Sequence, residues 1–126
     1  DLTDGQTFWK REFSGYRNMA QDQRNIYLVT SDSKVIALDK ASGKTLWMQS
    51  KLLGRVLSAP AVLNNKYILV GDLEGYVHFL DISTGELLAR YKVNSSSINA
   101  APSIVNNTAI INTVDGKIVA LTTAKI

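Results

Sequence analysis

The sequence predicts an all-β protein assembled from copies of one small antiparallel sheet, and three registers of residues predict it. The first is a strand–turn–strand unit present three times, over 29–39, 70–81 and 111–121, whose matched leucines Leu38, Leu80 and Leu121 lie 42 and 41 residues apart. The second joins Asp1, Asp39 and Asp81 to a glycine four positions on (Gly5, Gly43 and Gly85). In two copies a tryptophan follows four further, Trp9 and Trp47, whereas the third copy carries Ala89. The third register sets Ala59-Pro60-Ala61 against Ala101-Pro102-Ser103, again 42 apart. Independent registers recurring at spacings of 38 to 42 residues mark a repeat protein.

Each element follows from local chemistry. Ile26-Tyr27-Leu28-Val29 and Lys66-Tyr67-Ile68-Leu69-Val70 are short β-rich runs bounded by Asn, Asp, Ser or Gly. Asp32-Ser33, Glu74-Gly75 and Asp115-Gly116 separate such runs and supply hairpin turns. Ala41-Ser42-Gly43-Lys44 and Ser83-Thr84-Gly85-Glu86 make the next turn of their repeats. Along the strand between those turns, Val35, Ala37 and Asp39 face one side while Ile36 and Leu38 face the other. No window carries a helical apolar stripe.

Four short strands in roughly 40–45 residues is the arithmetic of a β-propeller blade. The chain divides accordingly. Segment 1–17 is an outer strand, at 7–12, with its link from a preceding blade; 18–57 and 58–99 are each a blade with its crossing; 100–126 is a last blade of three strands. The expected fold is therefore a propeller piece of about three four-stranded antiparallel blades. Such a ring closes with roughly 4–8 blades. The chain thus reads as part of a larger propeller, and as a separate piece it is expected to self-associate through its open blade edges.

Composition narrows the function. With 126 residues, 45% hydrophobic and 20% charged, the chain is globular in character. Its net charge of +3 comes from scattered basic residues, the longest run being Lys10-Arg11, which argues against a nucleic-acid interface. There is no cysteine, hence no disulfide and no thiolate chemistry. No apolar run reaches the ~20 residues that would span a bilayer.

The stretch Ala37-Leu38-Asp39-Lys40-Ala41-Ser42-Gly43-Lys44-Thr45-Leu46-Trp47 resembles the A-x-D-x-x-x-G-x-x-x-W repeat of PQQ-type propellers. The physical logic is a turn at the glycine and a tryptophan wedged against the neighbouring blade, its N–H needing a partner. More specifically, the segments 45–60, 71–78, 92–96 and 115–121 are similar to the C-terminal end of the BamB family. That resemblance implies an eight-bladed lipoprotein of the outer-membrane protein assembly machinery, held at the periplasmic face of a Gram-negative outer membrane by an N-terminal lipid outside this chain. It also implies a non-enzymatic scaffold whose partners are BamA, through its POTRA domains, and nascent outer-membrane proteins. Neither a cofactor nor a metal is expected. The alternatives are a piece of a PQQ-dependent quinoprotein dehydrogenase and a PQQ-repeat interaction module of another pathway.

Candidate sites divide along the same lines. Asp39, Gly43, Trp47, Asp81, Gly85, Trp9 and Gly5 recur with the repeat, and a lone catalytic acid would not; they read as structural. His78, the single histidine, reads as a strand residue with no carboxylate at ligand spacing, and Asp72 and Glu74 as a solvated pair flanking a turn. The non-repetitive stretch 51–57 holds the candidate partner-binding residues Leu53 and Arg55, its other reading being a link packed between blades.

Overall fold

The computed structural model describes residues 8–13 and 15–122. Eleven strands follow one another: β1 (Tyr16–Gln21), β2 (Asn25–Thr30), β3 (Val35–Asp39), β4 (Thr45–Gln49), β5 (Ala61–Leu63), β6 (Tyr67–Gly71), β7 (Tyr76–Asp81), β8 (Leu87–Lys92), β9 (Ser103–Val105), β10 (Thr108–Asn112) and β11 (Ile118–Thr122). They form three antiparallel meanders of four, four and three strands, in the orders β1-β2-β3-β4, β5-β6-β7-β8 and β9-β10-β11. Among the described residues there is no helix. This is the arrangement of consecutive propeller blades, the last with three strands.

The pleat sorts the side chains onto two faces of each sheet. Tyr27, Val29, Val35, Ala37 and Trp47 of the first blade pack against Ile68, Val70 and Leu80 of the second, with Leu52 and Leu57 of the crossing between them. The opposite face of the second blade, Leu69, Val77 and Phe79, meets Ala109 and Ile111 of the third. On the far side of the first blade, Leu28, Ile36 and Leu38 are covered by Trp9 and Phe13.

The hairpin turn between the second and third strands is the same in all three blades. The amides of Thr30, Asp72 and Thr113 donate to the carbonyls of Lys34, Tyr76 and Lys117 at 2.9 Å each. The side chain at the first of these positions accepts the amide four residues on: Lys34 N–H to Thr30 Oγ1 at 3.0 Å, Tyr76 N–H to Asp72 Oδ1 at 3.0 Å and Lys117 N–H to Thr113 Oγ1 at 3.1 Å.

Two details differ from the sequence expectation. The first sheet begins at Tyr16, inside the segment assigned to the preceding blade, because Tyr16 pairs with Thr30 across an irregularity in the β1–β2 ladder. Residues 8–12 form no strand and pair with none of the described strands, while residue 7 lies outside the described residues. They nevertheless sit where an outer strand belongs, as their side-chain contacts show.

Candidate functional site

The Asp–Gly–Trp register is an interlock between blades. Trp47 on β4 donates its indole N–H to Ile82 O at 2.9 Å, in the turn of the next blade, and Gln49 donates to Gly85 O at 2.8 Å. Trp9 and Arg11 repeat this one blade earlier, donating to Lys40 O and Gly43 O, each at 2.7 Å. The glycine is the seat. Gly43 has φ +75°, and a Cβ there would stand 2.5 Å from the Trp9 indole; at Gly85, φ +78°, a Cβ would run into Trp47. Asp39 and Asp81 hold the same turns. The Asp39 carboxylate accepts Ser42 N–H at 3.0 Å, that of Asp81 accepts Ser83 N–H at 2.7 Å, and the amides of Gly43 and Gly85 donate to the two aspartates' carbonyls. Gly5 lies outside the described residues.

A second constellation occurs only in the middle blade. Asp72, at the end of β6, is fully buried, yet it is a carboxylate. Its Oδ1 accepts the amides of Glu74 and Tyr76 at 2.9 and 3.0 Å. Its Oδ2 lies 2.7 Å from His78 Nε2 and accepts Arg55 Nη1 at 3.2 Å. Arg55 reaches Glu74 as well, at 3.1 Å. Burial alone raises the Asp72 pKa, but the His78 hydrogen bond, the two turn amides and the attraction of His78 outweigh it, so the carboxyl is held below its ordinary value.

The two carboxylates are therefore not a solvated pair. The turn folds Asp72 inward against β7 and leaves only Glu74 in water, with the Arg55 guanidinium in the place a bound cation would take. His78, read from the sequence as lacking an acidic neighbour, has one because the hairpin returns β7 beside the end of β6. The signal was present in the repeat: position 72 carries Asp where the equivalent turns carry Thr30 and Thr113.

The crossing after β4 brings Arg55 to this cluster. Leu73 N–H donates to Arg55 O at 3.0 Å and Val56 N–H to Ser33 Oγ at 3.0 Å, so the loop is tied to the turns of both blades. Leu52 and Leu57 are buried between the sheets, whereas Leu53 is 51% exposed and Val56 40%. Two leucines of the segment thus pack between blades, as a link would, while Leu53 points to solvent. Val56 has φ +56°, a left-handed conformation that β-branched residues rarely adopt. Among the described residues, no group of three or more His, Cys, Asp or Glu could hold a metal ion.

Successive antiparallel sheets joined by a repeated aspartate turn, glycine seat and tryptophan key define a PQQ-type β-propeller. A family model described as outer membrane protein assembly factor BamB matches residues 1–49 and 31–125, and the chain belongs to that family. It is 40% identical over 97% of its length to the BamB of Salmonella typhimurium and 39% identical, over the same share, to that of Escherichia coli K12. It spans 31% of the length of those curated relatives. The crystal structure of BamB from Moraxella catarrhalis superposes with a TM-score of 0.85 at 25% identity, covering 97% of this chain and 36% of that one. A quinohemoprotein alcohol dehydrogenase from Pseudomonas putida HK5 superposes with a TM-score of 0.71 at 22% identity over 82% of this chain and 18% of its own, a likeness of fold alone.

Proposed function

We propose that the chain is part of a non-enzymatic scaffold subunit of the β-barrel assembly machinery. In this reading the whole protein is lipid-anchored at the periplasmic face of a Gram-negative outer membrane. There it binds BamA through its POTRA domains and supports the folding and insertion of outer-membrane proteins. The observation that carries this reading is identity of 40% to a BamB over nearly the whole chain. Physical support comes from the crossing at 51–57, where an exposed leucine and a strained valine are held firmly in place from below. Strain that the surroundings hold in place is found where a surface must be presented in one shape. Leu53 is the proposed contact, with Leu73, 52% exposed, on the adjacent turn. Arg55 supports both by fixing the loop through Asp72.

The test is calorimetric titration of the protein with a POTRA-domain fragment of BamA. Leu53→Asp is expected to weaken binding at least tenfold while leaving the circular dichroism spectrum unchanged. Unaltered affinity would remove the crossing from the interface, and no measurable binding by the unmodified protein would sink the scaffold reading.

A further inference from the structure

A repeat protein carries its own controls, because positions that do one structural job recur in each blade. The backbone identifies them here. Leu73 N–H donates to Arg55 O and Val114 N–H to Ser97 O, both at 3.0 Å, so Arg55 and Ser97 are equivalent, and Phe13, 42 residues before Arg55, lines the first blade's cavity. Likewise Asp72 corresponds to Thr30 and Thr113, and His78 to Ile36 and Val119. Arg90 faces His78 across the ladder as Met48 faces Ile36.

The middle blade therefore departs from its neighbours at several positions, and these converge. Over the first blade a cavity of about 410 Å³ is lined by Phe13, Thr30, Ile36 and Met48, with Asp32 and Lys34 at its edge. The corresponding cavity of the second blade, about 350 Å³, is lined by Lys51, Arg55, His78 and Arg90 together with Leu52 and Leu88. Phe, Ile and Met have become Arg, His and Arg. The fold does not require the change, since the first blade is built without it.

The chemistry of the second cavity is specific. None of its lining residues carries a carboxylate, and Lys51 and Arg90 bring two positive charges to its wall beside Arg55, whose own charge is met by Asp72 and Glu74. Asp72 and Glu74 stand behind Arg55 and pin its guanidinium in one orientation. The Arg90 guanidinium lies over the Tyr76 ring, 4.4 Å from its centroid, which fixes the second cation. Pre-oriented guanidinium groups are suited to a planar oxyanion. The walls beside them are leucines, which suit an apolar group attached to that anion.

We propose that this cavity binds the free carboxyl end of an apolar peptide. The carboxylate is received by Arg90 and Lys51, with Arg55 beside them, and the last side chains lie on Leu52 and Leu88. The assignment does not rest on the BamA reading, which concerns the exposed Leu53.

The experiment is a nitrogen–proton correlation NMR titration of the protein with acetyl-Leu-Leu-Phe as the free acid and, separately, as the C-terminal amide. Saturable shifts at the amides of Lys51–Arg55 and Leu88–Arg90 are expected with the acid, and affinity about tenfold or more weaker with the amide. Arg90→Met, which installs the residue the first blade uses, is expected to keep the dispersed spectrum and lose the acid's advantage. Equal binding of acid and amide overturns the proposal, as does the absence of saturable shifts at millimolar peptide. Competition by inorganic phosphate as strong as that by the acid would likewise overturn it, showing an unspecific anion site.

Discussion

Trp47 sits on Gly85 of the following blade and hydrogen-bonds past it to Ile82 O. The pair joins two sheets without a covalent bond, and it makes one hydrogen atom at position 85 indispensable. Gly85→Ala would force a Cβ into the indole at a φ of +78°. Overpacking and a left-handed alanine together are expected to cost about 2–4 kcal/mol. Urea unfolding of this variant should show a lower midpoint with an unchanged slope. An equal midpoint would mean that the tryptophan is free to move aside.

Asp72 links stability to acid. Its pKa in the folded protein is held below the ordinary carboxylate value, so its contribution is complete above roughly pH 4 and is lost as pH falls through the folded value. Asp72→Asn is expected to destabilise the protein at neutral pH by about 2–4 kcal/mol, because it leaves the Arg55 guanidinium short of a buried counter-charge and takes the carboxylate from beside His78. Denaturant midpoints taken from pH 6 down to pH 2.5 should show the two proteins converging. A constant gap across that range would place the effect in packing.

At the other end of the scale stands Tyr27. Burial pushes its phenol up to about 12; Asp22, which accepts the hydroxyl at 2.8 Å, pushes the same way, while a hydrogen bond from Asn25 opposes both. A raised phenol favours the neutral form in the fold, so its stabilisation is complete below about pH 10 and is lost as pH rises through 12. Tyr27→Phe should cost about 1 kcal/mol at neutral pH and flatten the alkaline limb of the stability profile. Fluorescence-monitored unfolding at pH 8 and pH 11 distinguishes the outcomes; parallel losses would clear Tyr27 of the effect.

Val56 offers a change in the opposite direction. A half-exposed valine at φ +56° gives up conformational energy of roughly 1–2 kcal/mol, and asparagine tolerates that region far better. Val56→Asn is expected to raise stability by about 1 kcal/mol, read as an upward shift in the thermal midpoint. A downward shift would show that the valine methyls contribute more to packing than their exposure suggests.

The fold was legible because it is written by short-range rules applied repeatedly. The turn at Asp39–Gly43 and its copy at Asp81–Gly85 announce themselves in sequence, and the alternation of Val35, Ile36 and Ala37 assigns the faces of β3. The interlock was legible in half: the tryptophan's need for an N–H partner follows from its chemistry, but nothing local says that the partner is a carbonyl of the next blade, 35 residues on. The cluster around Asp72 was hidden for a related reason. Arg55 belongs to a crossing without repeat character, and it meets Asp72 only once the hairpin of the second blade is folded beneath it. Column-by-column comparison of the three turns would have exposed it, since a buried position that accepts Thr twice has no structural need for Asp. The strand expected over 7–12 differs for another reason: Trp9 and Arg11 make an outer strand's contacts, but a strand exists only through neighbours that share its hydrogen bonds.

The alanine at position 89 has a consequence for how the molecule comes apart. With alanine where the first blade has its tryptophan, β8 is exposed along its whole length and sends no indole across to the sheet that follows. Repeats held only by nearest-neighbour contacts open at their weakest junction. Backbone amides of β9, β10 and β11 should therefore exchange with deuterated solvent well before those of β2, β3, β6 and β7. Among the described residues, rigidity is expected to fall toward the third blade, where the indole keys stop.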